Sequence, residues 1–175
     1  MDRTNLKLKN SIRNIPNFPR KGIIFKDITR LLADPVLFAN AVYKFEQAFK
    51  KLKIDKVVVI ESRGFIFGAP LAYKLKTGIV PIRKKGKLPY KTIAASYCLE
   101  YGKATLEMHT DALEPGDRVV IIDDLLATGG TVSATIELVE KLKAKIVGIG
   151  FLIELTFLNG REKLKGNKVV SLIKY

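Results

Sequence analysis

The chain has one cysteine, one histidine and no tryptophan in 175 residues. Cys98 has no second thiol to pair with, which excludes an internal disulfide and fits a reducing cytoplasm. A single histidine and a single cysteine cannot make a zinc cluster. Cys98 and His109 stand eleven residues apart with no third group indicated, so a thiol nucleophile with its base is not expected. No apolar run approaches the roughly 20 residues of a membrane span, and no membrane partner is expected. The first thirty residues mix polar and charged types, so no secretory signal is expected either. There is no Gly-x-x-x-x-Gly-Lys-Ser/Thr, and Gly148-Ile149-Gly150 lacks the third glycine of a dinucleotide loop. Acids are also scarce. Seventeen Asp and Glu face 31 Lys and Arg, a formal charge of +14. Such a balance suits nucleic acid, a membrane surface or a small polyanionic substrate. Most of the lysines are scattered, but Arg83 to Lys91 holds five cations and no acid.

The stretch richest in chemistry is Val119 to Thr131, Val-Val-Ile-Ile-Asp-Asp-Leu-Leu-Ala-Thr-Gly-Gly-Thr. Four β-branched residues suit a strand buried on both faces. Asp123 and Asp124 follow, then the small loop Ala127-Thr128-Gly129-Gly130-Thr131. Val132, Ile136, Val139 and Leu142 then repeat at helical spacing. Glycines let backbone N–H groups crowd together, and a helix start adds unpaired N–H groups with a positive dipole end. Such a loop suits a phosphate. The aspartates would repel that phosphate. At the carboxyl end of a strand they can instead accept from two neighbouring hydroxyls or hold a hard cation. Phosphate beside a vicinal diol describes a ribose 5-phosphate. The bland alternative is a buried strand with a polar turn.

The rest of the chain alternates strands and helices. Thr4 to Ile12 reads as a short helix, and Asn14 to Gly22 as a loop enclosing the apolar segment Gly22 to Asp27. Asp34-Pro35 starts a helix that ends near Lys53. Strands are expected at Lys56 to Ile60, Ile79 to Ile82, Lys145 to Ile153 and Lys168 to Ile173. Helices are expected at Phe65 to Lys76 and Thr131 to Lys143, and a helical turn at Asn159 to Leu164. Residues 92–109 read as a hairpin turning near Gly102-Lys103. This order predicts one α/β domain over residues 1–175, with a mainly parallel central sheet flanked by helices.

Three further loops carry candidate chemistry. Glu61-Ser62-Arg63-Gly64 ends one strand as the acid pair ends another, and Arg63 offers a donor fork for phosphate. Arg83-Lys84-Lys85-Gly86-Lys87-Leu88-Pro89 ends a third. Its cations can neutralise a departing pyrophosphate; the bland alternative is a solvated basic loop. Glu100 lies near the hairpin turn, where a closing lid would exclude water from a cation-like ribose centre. A static hairpin with a solvated Glu is the plain alternative.

Val119 to Thr131 closely resembles the phosphoribosyl pyrophosphate (PRPP) signature of the type I phosphoribosyltransferases. Glu-Ser-Arg-Gly-Phe-Ile-Phe-Gly-Ala-Pro, the basic loop and Leu-Glu-Tyr-Gly-Lys are similar to the adenine-specific members, and the resemblance runs from about Ile12 to Ile173. It implies transfer of phosphoribose from PRPP to adenine, giving AMP and pyrophosphate with Mg2+ carried by PRPP rather than by protein ligands. It implies ribose-phosphate contacts at Asp123, Asp124, Ala127, Thr128, Gly129, Gly130 and Thr131. Pyrophosphate contacts are implied at Ser62, Arg63, Arg83, Lys84, Lys87 and Tyr101. Adenine contacts are implied at Ile24, Phe25, Lys26, Leu125 and Leu155, those of Ile24 and Lys26 through the backbone. Lys26 departs from the arginine often found there. Glu100, Asp123 and Asp124 take the catalytic roles. Residues 1–34 would supply an N-terminal helix and a purine-binding hood, residues 92–109 a flexible lid, and two copies a homodimer. The other readings are a different base, such as hypoxanthine or guanine, and a PRPP-binding regulator of nucleic acid. Nucleic acid is not the expected partner, because the lid acid is present and no helix-turn-helix is found.

Overall fold

The computed structural model describes residues 3–98 and 103–175. The chain opens with helix α1 (Arg3–Ser11), strands β1 (Arg13–Pro16) and β2 (Ile24–Asp27), and helices α2 (Thr29–Ala33) and α3 (Pro35–Phe49). Strand β3 (Lys56–Ile60), helix α4 (Arg63–Leu75) and strand β4 (Gly78–Lys84) follow. Strands β5 (Thr92–Cys98) and β6 (Lys103–His109) pair as the expected hairpin. Then come strand β7 (Arg118–Leu126), helix α5 (Gly130–Lys141) and strand β8 (Lys145–Glu154). Two 3₁₀ turns (Thr156–Leu158 and Gly160–Leu164) lead to strand β9 (Val169–Lys174).

Seven strands form one sheet in the order β5-β6-β4-β3-β7-β8-β9. From β4 to β9 every neighbouring pair is parallel, and the hairpin adds an antiparallel edge against β4. The mainly parallel architecture is the one expected. Val57, Val59, Val120 and Ile122 face a core shared with Phe45, Phe49 and Phe67 of α3 and α4. Val58, Ile60, Val119 and Ile121 face the opposite core, which holds Val132 and Leu138 of α5. Burial on both faces explains why these strands read as continuous apolar runs rather than as alternating ones.

Helix α3 begins as the sequence predicts. Asp34 accepts from the N–H groups of Val36 at 2.9 Å and Leu37 at 3.0 Å, with Pro35 at the first helical position. The helix stops at Phe49, short of Lys53. Part of the expected loop from Asn14 is instead strand β1, which pairs antiparallel with β2 from Arg13↔Asp27 to Pro16↔Ile24. Pro16 sits at a strand end, where its missing N–H is tolerated. Helix α2 was not expected; five residues are too few to show a helical period. Strand β7 outlasts the four β-branched residues, because it stays paired with β8 as far as Leu126↔Glu154. The acid pair therefore lies inside the strand rather than after it. His109 is half-buried, with its ring edge-on to Tyr90 at 6.0 Å between centroids.

Helix α4 lies close on β3 because Gly68 has no side chain. A Cβ there would come within 2.0 Å of Val59 Cγ1. Gly68→Ala is expected to destabilise the protein by about 1–3 kcal/mol through overpacking. Thermal melting would show this as a fall of about 2–4 °C per kcal/mol, and an unchanged Tm would refute the tight contact.

Candidate active site

Strands β3, β4 and β7 run parallel, so their carboxyl ends share one edge of the sheet. The pairing of β3 with β7 ends at Val59↔Ile122, and β7 continues alone on that side. A cleft of about 280 Å³ opens beside this projecting lip, lined by residues 61–63, Lys84 and residues 123–132. Ligands of open α/β sheets gather at such an edge.

Asp123 and Asp124 lie on the lip with only 8% and 5% of their surface exposed. Asp123 accepts from the Asp124 N–H at 2.8 Å. Asp124 pairs with Arg63 Nε at 2.9 Å. Burial, and then the neighbouring carboxylate, push the Asp123 carboxyl well above its ordinary range. Burial also raises Asp124, against the pull of Arg63. A pair held in this way gains from any ligand that donates hydroxyl hydrogens to it. Arg63 is the first residue of α4, and its approach depends on Gly64: a Cβ at Gly64 would lie 2.7 Å from the Ile122 carbonyl oxygen.

Glu61 organises the cations. Its carboxylate accepts from Arg83 Nε at 3.1 Å, from the Lys84 backbone N–H at 2.9 Å and from Lys87 Nζ. Burial pushes this carboxyl up, but the three donors outweigh it and hold it at about 2. Glu107, also buried, accepts from the Gly86 N–H at 2.9 Å. The basic stretch is thus a turn fastened by two carboxylates rather than a loosely solvated run. Sequence reasoning assigned no role to Glu61 or Glu107. An acid directly before Ser62-Arg63 was a visible signal for the first; Glu107 offered none.

The loop from Ala127 to Gly129 leads into α5. Gly129 takes a left-handed φ of +79° and caps the helix, and its carbonyl accepts from Ser133 Oγ at 2.8 Å. The first N–H groups of a helix lack intrahelical acceptors and carry the positive dipole end. Here they open on the cleft beside Thr128 and Thr131. Such an arrangement suits an anion held mostly by backbone N–H groups.

The N-terminal strands meet the cleft wall through Arg63: the Phe25 ring centroid is 5.1 Å from its guanidinium carbon, and Phe25 itself does not line the cleft. Phe18 meets Phe25 edge-on at 5.1 Å. Phe25 is half-buried and belongs to neither core cluster. The Lys26 ammonium is held by Asn14 Oδ1 at 2.7 Å and lies over the Tyr175 ring at 3.9 Å, and Lys26 does not line the cleft. Ile24 is exposed. Leu125 lines the cleft, whereas Leu155 is buried in the core and does not line it. Ser62, Arg63, Lys84, Asp123, Asp124 and residues 127–131 share the cleft wall, while Arg83 and Lys87 reach it through Glu61. Glu100 and Tyr101 lie outside the described residues.

A glycine-rich helix start next to a buried acid pair, at the carboxyl edge of a parallel sheet, suits the class of proteins that handle phosphorylated ribose. In agreement, the phosphoribosyl transferase domain family matches residues 27–173. An adenine phosphoribosyltransferase of Carboxydothermus hydrogenoformans is 58% identical over 97% of this chain and 100% of its own length. The crystal structure of the Thermoanaerobacter pseudethanolicus adenine phosphoribosyltransferase has a TM-score of 0.95 at 52% identity, covering 98% of this chain and 99% of that one. The Saccharomyces cerevisiae enzyme, complexed with an imino-altritol bisphosphate and adenine, has a TM-score of 0.93 at 42% identity, covering 99% and 100%. The chain belongs to the adenine phosphoribosyltransferase family.

The raised Asp123 has a testable consequence. Its folded pKa exceeds the ordinary 3.8, so folding takes up a proton. That favours the fold at low pH and is lost as pH rises from about the ordinary value through the folded one. Asp123→Asn keeps the acceptor for the Asp124 N–H and removes the charge. The variant is expected to melt above the wild type at pH 7, by about 2–4 °C for each kcal/mol relieved. The gap should shrink toward pH 4, and a lower Tm for the variant at pH 7 would contradict the assignment.

Proposed function

We propose that the protein transfers the 5-phosphoribosyl group of PRPP to adenine, forming AMP and releasing pyrophosphate. The observation that supports this reading is the cleft, whose wall carries a glycine-rich helix start, a buried acid pair and the cations Arg63 and Lys84. A ring nitrogen of adenine bonds to ribose C1 as the bond from C1 to pyrophosphate oxygen breaks, and the base gives up a proton. Residues 127–131 take the 5-phosphate. Asp123 and Asp124 accept from the ribose hydroxyls, and their charge favours the cation-like transition state. Ser62, Arg63, Arg83, Lys84, Lys87 and Tyr101 receive the pyrophosphate. Arg63 would exchange Asp124 for phosphate oxygens, and Arg83 and Lys87 would do the same with Glu61.

Adenine is read by the hood of residues 1–34, where the Phe25 ring and the apolar surface of Leu125 enclose the base; Leu155 backs this wall from the core. The backbone of Ile24 and Lys26 supplies its polar contacts. Glu100, on the lid of residues 92–109, closes over the site and handles the base proton. Mg2+ suits phosphate oxygens and water. Asp124 is engaged by Arg63, and no group of three or more His, Cys, Asp or Glu fit for a metal gathers among the described residues. These donors suit a metal carried in by PRPP and touched by Asp123 or Asp124 through water. Bound there, it would neutralise charge on the departing pyrophosphate.

A homodimer is supported by an apolar face on the far side of α4. Tyr73 is 84% exposed, and Ile66 lies on the same side of the helix. On adjoining β4, Ile79 and Pro81 are also exposed, although their partners in β3, Val57 and Val59, are buried. Exposed apolar clusters of this kind mark contact surfaces. A cytoplasmic setting is supported by the lone cysteine; no helix among the described residues is long and apolar enough to cross a membrane.

With PRPP and magnesium, purified protein should convert adenine to AMP with stoichiometric pyrophosphate, and hypoxanthine and guanine far more slowly. Turnover of guanine but not adenine would overturn the base assignment. Glu100→Ala should lower kcat by about 10²–10⁴-fold, the usual worth of a positioned acid or base, with little change in PRPP affinity. An unchanged kcat would remove Glu100 from the mechanism.

A further inference from the structure

The proposed phosphate loop rests on a residue far along the chain. Gly160 is buried, and a Cβ on it would lie 2.1 Å from the Ala127 carbonyl oxygen, 2.9 Å from Gly129 N and 3.0 Å from the Thr128 carbonyl carbon. All three atoms are backbone of the loop that caps α5. The contact is reciprocal: a Cβ on Gly129 would lie 2.7 Å from the Gly160 carbonyl oxygen. Gly160 does not take a left-handed φ, so space rather than backbone conformation is what demands glycine there.

The support beneath Gly160 is firm on both sides. Just before it, the Leu155 N–H donates to the Leu126 carbonyl at 2.9 Å, which ties the segment to the end of β7. Just after it, the Arg161 guanidinium pairs with buried Glu154 through Nε at 2.7 Å and through a second nitrogen. The same guanidinium donates to the Val169 carbonyl at 3.2 Å and to Ser171 Oγ at 3.1 Å. Arg161 thus fastens the turn to both β8 and β9.

We infer that Gly160, held by the Arg161–Glu154 pair, is a positioning residue that sets the height of the phosphate loop and so the affinity for the ribose phosphate. This rests on the reading that residues 127–131 take the 5-phosphate. A loop that binds anions through backbone N–H groups has no side chains to readjust, so its affinity depends on where its backbone is placed. The pyrophosphate cations stand on other elements: Arg63 on α4, Arg83 and Lys84 on β4, and Lys87 in the turn after it. Loop displacement should therefore separate the two halves of the substrate.

The test is calorimetric titration of the full chain, with magnesium, by ribose 5-phosphate and separately by pyrophosphate. Gly160→Ala is expected to weaken ribose 5-phosphate by about tenfold or more and to leave pyrophosphate within about twofold. Arg161→Lys keeps the charge beside Glu154 but loses the bonds to Val169 and Ser171, and should show a smaller loss of about threefold, confined to the same ligand. Unchanged ribose 5-phosphate binding, or an equal loss for both ligands, overturns the inference. If Gly160→Ala does not fold, Arg161→Lys decides by the same two outcomes. Failure of the wild-type protein to bind ribose 5-phosphate would instead sink the underlying assignment of the loop.

Discussion

The structure depends on one mismatch of length between parallel neighbours. Strand β3 ends at Ile60, one residue past its last pairing with β7 at Val59↔Ile122, while β7 runs on beside β8 to Leu126. The backbone of β7 beyond Ile122 therefore has a partner on one side and open cleft on the other. Asp123 and Asp124 occupy that lip, Arg63 reaches it from the start of α4, and the loop into α5 begins four residues later. Gly64 permits this spacing, because any side chain there would meet the β7 backbone at Ile122.

Resident carboxylates hold three of the cations at the cleft, in a chain that is strongly basic overall. Arg63 is held by Asp124, and Arg83 and Lys87 by Glu61. The two acid centres respond in opposite directions. Glu61 collects three donors and stays ionised far into acid, while Asp123, with fewer, resists ionisation. Fixed dipoles and charges placed before a substrate arrives need little rearrangement during reaction. Polyanions such as PRPP and pyrophosphate offer these cations stronger partners than the resident carboxylates.

Much of this was legible in the chain. Four β-branched residues followed by acids, glycines and a helical period describe a strand, loop and helix within thirteen residues and a few turns. Asp34-Pro35 marked the start of α3 to the residue. The elements misread were the short ones: β1 is four residues and α2 five, too few for periodicity to outweigh the prolines and glycines around them. The end of β7 was misplaced because Asp-Asp looks like a strand terminus, while its pairing with β8 carries it on. Phe25 lies over Arg63 outside both cores, a placement that depends on the pairing of β1 with β2.

The sequence by itself determined the alternation of strands and helices, the glycine-rich loop that opens α5 and the identity of the groups along each strand end. These are local properties, set by residue type and spacing within a few turns of chain. Only the tertiary structure decided which of those groups meet. The order β4-β3-β7 brings Glu61 to Arg83 and Lys87, and Arg63 to Asp124. The return of the chain after β8 sets Gly160 under Ala127 and Gly129. Strand order and register follow from how two apolar faces are buried at once, a condition on the whole chain that no short window of sequence contains.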